Sequence, residues 1–312
     1  MLLDCTLRDG GYYTDWEFSE ELVDDYLNTI SSLPLINYIE IGYLRNLPDK
    51  DYGDFYYLPL ETIRKIRNNL NKSKKIAVMI NAKEYKNINH INDLLYSCKN
   101  YVDLIRIAVS PQNINHGIEL ARKIKDIGFE VALNIMYLSQ ITLYELENII
   151  CEVANDSANV DFIYLVDSFG SCYPDEVTEK INKVKSYCNI PIGFHGHDNL
   201  SLAFSNSISA CKSGADIIDS TITGIGRGAG NLATELYCTY EIHKRDLAYD
   251  FSKIEDLVEK FIELKKIYDW GTSLPYIISG LNNIPQSKIM DLSHKEYKIN
   301  DLLSYLQNKV SD

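Results

Sequence analysis

Two of the six histidines in the chain, His195 and His197, are separated by a single residue. They follow the apolar run 190–194, which is typical of a strand, and side chains two residues apart in a strand share one face. Both imidazoles would then point to the same place and could supply half of a metal site. A pair of hydrogen-bonded histidines at a strand end explains the same spacing without a metal.

Further polar residues follow the first and the last apolar runs of the chain. Arg8 and Asp9 come at the end of the run 2–7, and Asn231 closes the glycine-rich segment 224–231. With the two imidazoles, Asp9 and Asn231 would form a mixed nitrogen and oxygen donor set that suits Mn²⁺, Mg²⁺, Co²⁺ or Zn²⁺, and we expect no thiolate near it. The glycine spacing differs from the dinucleotide-binding pattern, so we expect these glycines to let the backbone turn sharply beside the site.

Arg8 next to a cation has a chemical task of its own. Its guanidinium keeps its charge and can stabilise an oxygen that becomes negative in a transition state. Glu40, at the end of the second strand candidate, could hold that guanidinium in place, although an ordinary ion pair is the simpler alternative. Ser168, in the turn after the sixth strand candidate, could donate to a substrate carboxylate or could be only a turn residue.

These residues need a scaffold that gathers the ends of several strands. The chain carries eight apolar runs of strand length, each followed by a segment of helix length; the runs are 2–7, 38–42, 76–80, 104–109, 131–136, 162–166, 190–194 and 217–222. Continuous apolar runs are typical of parallel strands that are buried on both faces. Eight such units predict a (β/α)8 TIM barrel with its active site at the C-terminal ends of the strands. A doubly wound open sheet is the alternative.

We therefore divide the chain into a catalytic barrel, residues 1–245, and a helical C-terminal extension, residues 246–312. The extension has no strand signal, and its apolar spacing predicts helices at 251–268, 276–281, 286–292 and 302–308. Short helices need a packing partner, so we expect the extension to pack on the barrel or on a second subunit of a homodimer.

Composition excludes several classes of function. The formal net charge of −13 argues against a nucleic acid or an anionic membrane as the partner. No stretch approaches the ~18 uncharged residues of a membrane span, and no signal-like run begins the chain, so we expect a cytoplasmic protein. Seven scattered cysteines without a Cys-x-x-Cys motif argue against a disulfide framework.

Three motifs, in the same order, resemble those of the DRE-TIM metallolyases, the superfamily of hydroxymethylglutaryl-CoA lyases, isopropylmalate synthases and pyruvate aldolases. The motifs are Leu3-Asp4-Cys5-Thr6-Leu7-Arg8-Asp9-Gly10, His195-Gly196-His197-Asp198-Asn199-Leu200-Ser201-Leu202-Ala203 and Gly226-Arg227-Gly228-Ala229-Gly230-Asn231. They look most like those of 4-hydroxy-2-oxovalerate aldolases, and the likeness extends to about Glu241.

The resemblance implies a role for each candidate residue. Asp9, His195 and His197 would bind a divalent metal, most often Mn²⁺ or Mg²⁺ in this superfamily, with Asn231 on it or near it. Arg8 would stabilise an enolate, Glu40 would orient Arg8, and Ser168 would contact the carboxylate of a 2-oxo acid.

The sequence departs from each relative in a different place. Residues 224–231 lack the cysteine of the lyases, and the fifth strand candidate lacks the lysine of biotin-dependent carboxyltransferases. Where the aldolases carry a histidine that handles the hydroxyl proton of the substrate, this chain has Tyr12. A tyrosine with a pKa near 10 is a poorer base at neutral pH, so Tyr12 is a candidate acid or base beside Tyr43, Asp198 and a metal-bound water.

These inferences predict a class II type aldolase that forms or uses the enolate of a 2-oxo acid such as pyruvate and joins it to an aldehyde. A dehydrogenase is a candidate partner that would receive the product. The alternatives are a Claisen-type condensation with an acyl-CoA, an iron oxygenase with two histidines and one aspartate, and a metal-binding barrel without turnover. The aromatic segment 52–57 is a candidate lid, with a packed surface loop as the alternative.

Overall fold

Eight parallel strands close into a barrel in this computed structural model, which describes residues 1–45, 52–85, 91–155 and 160–293. Each strand pairs with the next one along the chain, and the last pairs with the first. The strands are β1 (Leu2–Asp4), β2 (Ile36–Tyr43), β3 (Lys75–Asn81), β4 (Leu104–Val109), β5 (Glu130–Ile135), β6 (Phe162–Asp167), β7 (Ile192–Gly196) and β8 (Ile217–Ser220). The predicted (β/α)8 TIM barrel is confirmed, and the open sheet is excluded.

Helices follow every strand and cover the outside of the barrel. They are α1 (Thr6–Asp9), α2 (Gly11–Thr14), α3 (Glu20–Ser32), α4 (Leu60–Asn69), α5 (Asn92–Cys98), α6 (Ile114–Ile127), α7 (Leu143–Asn155), α8 (Pro174–Lys185), α9 (Ala203–Lys212), α10 (Thr234–Lys244), α11 (Ser252–Tyr268), α12 (Leu274–Leu281) and α13 (Gln286–Ser293). In α3 the side chain of Ser19 caps the first turn by accepting from Leu22 N at 3.2 Å, and Leu22, Tyr26 and Ile30 are buried.

The inside of the barrel changes from apolar to charged along the strands. Leu104, Tyr38 and Ile217 belong to one buried apolar cluster on β4, β2 and β8. Two residues further along those same strands, and so on the same inward face, stand the buried Arg106, Glu40 and Asp219. The strands therefore carry a charged layer above an apolar one.

The first strand ends three residues earlier than the sequence pattern indicates. Asp4 accepts hydrogen bonds from Thr6 N at 2.9 Å, Tyr26 Oη at 2.6 Å and Thr234 Oγ1 at 2.6 Å. Because the carboxylate of Asp4 binds the amide two residues on, the chain turns there and continues as α1. Arg8 and Asp9 thus lie on a single helical turn and not at a strand end.

The seventh strand is shifted by two residues from the predicted run. Pro191 has no amide hydrogen to donate to a sheet, and β7 begins after it, at Ile192. His195 consequently lies inside the strand, and His197 is the first residue beyond it. The last strand likewise ends at Ser220, before the predicted limit of 222.

The extension contains no strand as far as residue 293, where the described part of the chain ends. Leu257 and Phe261 of α11 are buried in the main core, and Trp270 Nε1 donates to Thr223 O at 3.2 Å. The described part of the extension therefore packs on the barrel of its own chain. The helix predicted at 302–308 lies outside the described residues, and the boundary at 245 remains a prediction.

Among the described helices, none combines the length and the apolar character that crossing a membrane requires.

Candidate active site

Asp9, His195 and His197 come together at the mouth of the barrel. One ligand atom from each residue lies within 4.8 Å of the others, and all three side chains are buried. His195 Nε2 lies 3.7 Å from Asp9 Oδ2. The fold brings the carboxylate from α1 and the two imidazoles from the end of β7 to one point, as the sequence predicts.

The two imidazole rings are held from behind by hydrogen bonds. His197 Nδ1 lies 2.9 Å from the carbonyl oxygen of Asp167, and because a carbonyl only accepts, this nitrogen carries the proton. His195 Nδ1 lies 2.9 Å from Asp219 Oδ2. Metal-binding histidines are oriented in this way, with one ring nitrogen on an acceptor and the other left for the metal.

The protonation state of His197 suits a ligand. Burial, followed by the neighbouring His195, lowers the pKa of His197 to about 4. At neutral pH the ring is therefore uncharged, and its Nε2 has a lone pair to offer.

Asn231 lies against the same carboxylate. Its Nδ2 donates to Asp9 Oδ2 at 2.6 Å, while its Oδ1 is buried and has no hydrogen-bond partner in the part of the chain that the structure describes. A Cβ atom at Gly226 would collide with this amide, so glycine is required there for Asn231 to approach. Gly224 and Gly230 have φ of +68° and +82°, which confirms the expected sharp turn.

The four residues together offer the donor atoms that a divalent cation would need. Asp9 offers a carboxylate oxygen, His195 and His197 each offer an Nε2, and Asn231 offers an amide oxygen that no group in the described ranges uses. This mixed set of nitrogen and oxygen atoms, without sulfur, is typical of sites for Mn²⁺, Co²⁺ or Zn²⁺ and also binds Mg²⁺.

Arg8 lies between the candidate ligand and a buried glutamate. Its Nη1 donates to Asp9 Oδ1 at 2.5 Å, and its Nε donates to Glu40 Oε2 at 2.8 Å. Burial acts to raise the pKa of Asp9, but the neighbouring guanidinium of Arg8, followed by the nearby ring of His195, lowers it to about 2. Asp9 is thus an anion throughout the physiological range.

Two charged residues that the sequence interpretation missed complete the network. Glu40 Oε2 also accepts from Arg106 Nη1 at 2.9 Å, and Arg106 Nη2 donates to Asp219, the carboxylate that holds His195. The sequence feature that could have identified Arg106 and Asp219 is a charged residue within an otherwise apolar strand. Glu40 itself stands in the middle of β2 and not at its end, which is why it reaches both guanidinium groups.

Tyr12 and Tyr43, two rival candidates for the acid or base, are hydrogen-bonded to each other. Their hydroxyl oxygens are 2.6 Å apart. Burial raises the pKa of Tyr43 well above its usual value, so Tyr43 stays protonated and can donate to Tyr12. Asp198, the third candidate, accepts from Ala203 N at 2.9 Å and is not among the described residues that line the cavity.

Ser168 lies on the wall of the same cavity, which has a volume of about 1000 Å³. Its Oγ accepts from Tyr137 N at 2.9 Å, which leaves the hydroxyl hydrogen available for a ligand. Tyr52 and Tyr56 of the candidate lid also line the cavity and pack on Trp16, with ring centroids 5.4 and 4.7 Å away.

A cysteine side chain, which the sequence analysis did not place near the site, lies beside His195. The Sγ of Cys5 lies within 4.8 Å of ligand atoms of His195 and Asp219. Burial raises the pKa of this thiol well above its usual value, so it is a neutral thiol and not a thiolate.

Comparison with known proteins gives one family match and several relatives. Residues 1–261 match the HMGL-like family. A 4-hydroxy-2-oxovalerate aldolase of Geobacillus thermodenitrificans is 30% identical over 84% of this chain and 75% of its own length. The 4-hydroxy-2-oxovalerate aldolase of Pelotomaculum thermopropionicum is 31% identical over 75% of this chain and 68% of its own length.

Solved structures show the same barrel. The N-terminal domain of a putative aldolase from Bacteroides vulgatus superposes with a TM-score of 0.89 and 44% identity, covering 97% of this chain and 99% of that one. The carboxyl transferase domain of Rhizobium etli pyruvate carboxylase shares the fold, with a TM-score of 0.76 and 16% identity over 95% of this chain and 52% of that one.

Proposed function

Because this chain belongs to the HMGL-like family and is a lyase of the aldolase type, we propose that it is a divalent-metal-dependent aldolase acting on a 2-oxo acid such as pyruvate and an aldehyde. The observation that carries this proposal is the buried cluster of Asp9, His195 and His197 beside the guanidinium of Arg8. A cation held by these three residues and Asn231, Mn²⁺ or Mg²⁺ above all, would act as a Lewis acid toward the keto oxygen of the substrate.

Arg8 stabilises the negative charge that develops when the 2-oxo acid becomes an enolate. Its Nε and Nη1 are held by Glu40 and Asp9, which fixes the plane of the guanidinium. Its Nη2 has no partner among the described residues, and Arg8 lines the cavity, so this nitrogen can donate to the enolate oxygen. Glu40 is a positioning residue in this scheme.

Tyr12 and Ser168 handle the remaining polar atoms of the substrates. The hydroxyls of Tyr12 and Tyr43 lie 2.6 Å apart, and either can donate. In this scheme Tyr43 is the donor, so the hydroxyl hydrogen of Tyr12 protonates the aldehyde oxygen during addition and is returned during cleavage. The Ser168 hydroxyl donates to the carboxylate of the 2-oxo acid.

Deuterium exchange into the methyl group of pyruvate tests the proposal without knowledge of the aldehyde. Pyruvate is incubated with the protein in D₂O with Mn²⁺ or Mg²⁺, and its mass is followed. We expect metal-dependent exchange with the wild-type protein, little with Asp9→Ala, and an unchanged rate with Asp126→Asn, which alters an exposed carboxylate of α6.

Three outcomes would contradict the proposal. Metal binding without exchange would favour the barrel without turnover, and exchange by Asp9→Ala at the wild-type rate would remove the candidate metal site from the chemistry. A product formed from pyruvate and acetyl-CoA, with no product from aldehydes, would favour the Claisen-type alternative. The cytoplasmic location, the homodimer and the dehydrogenase partner remain predictions.

A further inference from the structure

Arg227 is a half-buried cation on the wall of the active-site cavity. Its guanidinium carbon lies 3.8 Å from the centroid of the Tyr12 ring. Within the described ranges this guanidinium forms no ion pair and no hydrogen bond; only the backbone carbonyl of Arg227 is bound, by Gly230 N at 3.3 Å. By contrast, Arg8 binds Asp9, and Arg45 binds Glu84 on the same wall.

The carboxylates nearby do not balance this charge. Asp9 and Glu84 are each bound to another arginine, and Asp15, which also lines the cavity, is exposed and forms no ion pair with Arg227. A guanidinium keeps its charge at every physiological pH, and partial burial without a counter-ion is unfavourable. Stacking on an aromatic ring offsets only part of this penalty. An anion in the cavity would supply the missing charge.

The position of Arg227 indicates which substrate brings that anion. Arg227 stacks on Tyr12, the residue proposed to handle the aldehyde oxygen, whereas the carboxylate of the 2-oxo acid is assigned to Ser168 at the end of β6. The cavity of about 1000 Å³ has room for an acceptor larger than a two-carbon or three-carbon aldehyde.

We propose that the acceptor aldehyde carries an anionic group, a carboxylate or a phosphate, which Arg227 binds through its two outer nitrogens. This inference rests on the proposed aldolase function and names the class of its second substrate. Arg227 would act as a specificity-determining residue, since planar, bidentate donation is the geometry in which arginine recognises both anions.

Matched pairs of aldehydes test the inference. Succinic semialdehyde is compared with butanal, and glyceraldehyde 3-phosphate with glyceraldehyde, by kcat/KM for pyruvate consumption. We expect one anionic aldehyde to be preferred over its neutral counterpart by roughly 10- to 100-fold, the usual range for a charged hydrogen-bonded pair. A preference within the first pair would indicate a carboxylate, and a preference within the second pair would indicate a phosphate.

Variants of Arg227 connect the preference to this residue. Arg227→Gln should remove most of the preference, and Arg227→Lys should keep part of it, because lysine retains the charge but lacks the fork of donors. Arg64→Gln is the control: Arg64 is exposed, lies 5.3 Å from the centroid of the Tyr101 ring, and is absent from the described cavity wall. It should leave the preference unchanged.

The inference and the function on which it rests fail in different ways. No preference in either pair, or an equal loss for charged and neutral aldehydes in Arg227→Gln, would overturn the anionic acceptor while deuterium exchange into pyruvate persists. Absence of that exchange in the wild-type protein would instead overturn the aldolase function.

Discussion

Charged side chains inside the barrel alternate in sign from Arg8 to Asp219, which in turn holds the ring of His195. Arg8 binds Glu40, Glu40 binds Arg106, Arg106 binds Asp219, and Asp219 holds the ring of His195. A buried charge is tolerated when a partner compensates it, and here each member has an opposite charge on at least one side. The orientation of the enolate-stabilising group and that of a candidate ligand thus depend on one network.

Asp219 is not a proposed metal ligand, but it contacts the ring of His195, which is one. Replacing Asp219 should therefore weaken metal binding indirectly. In Asp219→Asn the acceptor of His195 Nδ1 loses its charge, and Arg106 loses a counter-ion. We expect the affinity for Mn²⁺ to fall by roughly 10- to 100-fold, as for other residues that orient metal ligands. Isothermal titration measures the change.

A carboxylate outside the barrel mouth provides the control for this variant. Asp216 accepts from Ile192 N at 2.9 Å, just before the start of β8. Asp216→Asn should keep the wild-type affinity. Equal affinities for Asp219→Asn and the wild-type protein would show that the ring of His195 is held by other contacts.

His197 gives the metal-free protein a pH-dependent stability. Burial and His195 lower its pKa to about 4 in the folded chain, while the unfolded chain keeps a value near 6.5. Between these values the unfolded chain binds more protons, so the free energy of unfolding decreases as the pH falls from 6.5 to 4. The contribution of this group is on the order of 2–3 kcal/mol, fully present above pH 6.5.

Denaturant unfolding with EDTA at pH 7 and at pH 4.5 measures this decrease. Burial also raises the pKa values of Asp4 and Asp167, so these groups contribute to the pH dependence of the free energy of unfolding. Their contribution is the same in the wild-type protein and in His197→Gln. The comparison is therefore with His197→Gln, which should lose less stability between the two pH values. The same loss in both proteins would argue against a neutral, buried His197.

Among the helices and loops, the C-terminal extension is hydrogen-bonded to the loops that carry the active site. Asn199, in the loop after β7, donates through Nδ2 to Tyr276 O at 3.0 Å and to Ser279 Oγ at 2.9 Å in α12. Gln286, at the start of α13, donates to Asn199 Oδ1, and its own side-chain oxygen occupies the space that a Cβ atom at Gly228 would fill. The helices α12 and α13 therefore support the loops after both β7 and β8.

Removing this amide should loosen the extension. Asn199→Ala removes the side-chain partner of the buried amide of Gln286, while Ser279 Oγ keeps its bond to Tyr276 O. We expect the free energy of unfolding to fall by about 2–3 kcal/mol. Limited proteolysis should cut the chain after residue 271 more readily than in the wild-type protein.

The control is another asparagine of the same region. Asn282 follows α12, is exposed, and donates to Ile278 O at 2.8 Å. Asn282→Ala should change the free energy of unfolding by less than about 0.5 kcal/mol. A proteolytic pattern of Asn199→Ala that equals that of Asn282→Ala would show that α12 and α13 are held mainly by apolar contacts.

In the whole molecule, a bound cation would link residues from the first and the seventh strand regions, which lie far apart in the sequence. Asp9 follows β1, whereas His195 and His197 come with β7, and β8 lies between those two strands in the closed sheet. A ligand that binds only the folded chain stabilises it, by about 2.7 kcal/mol at a hundred times its dissociation constant. We expect Mn²⁺ to raise the thermal unfolding midpoint of the wild-type protein and EDTA to reverse the change.

Asp9→Ala separates specific binding from general effects of the ion. This variant should show little or no shift with Mn²⁺. A shift as large as that of the wild-type protein would place the stabilising cation elsewhere on a chain whose net charge is −13.

The sequence by itself determined the barrel and the chemical types at its mouth. Apolar runs and helical periodicity are local properties, and they located β4 at 104–109 with the bounds that the structure has. Residue types and their place after the strands also singled out Asp9, His195, His197 and Asn231 as candidate metal ligands. No distant contact is needed for either step.

Only the tertiary structure decided which partners hold the candidate site residues and which charged side chain lacks a described counter-ion. Arg106 and Asp219 could face either side of their strands until the barrel closed around them. The links from Asn199 to the extension, and the absence of a described counter-ion for Arg227, depend on residues far apart in the chain. The physical reason is that burial and pairing of a charge are set by neighbours in space, and closure of the barrel chooses those neighbours.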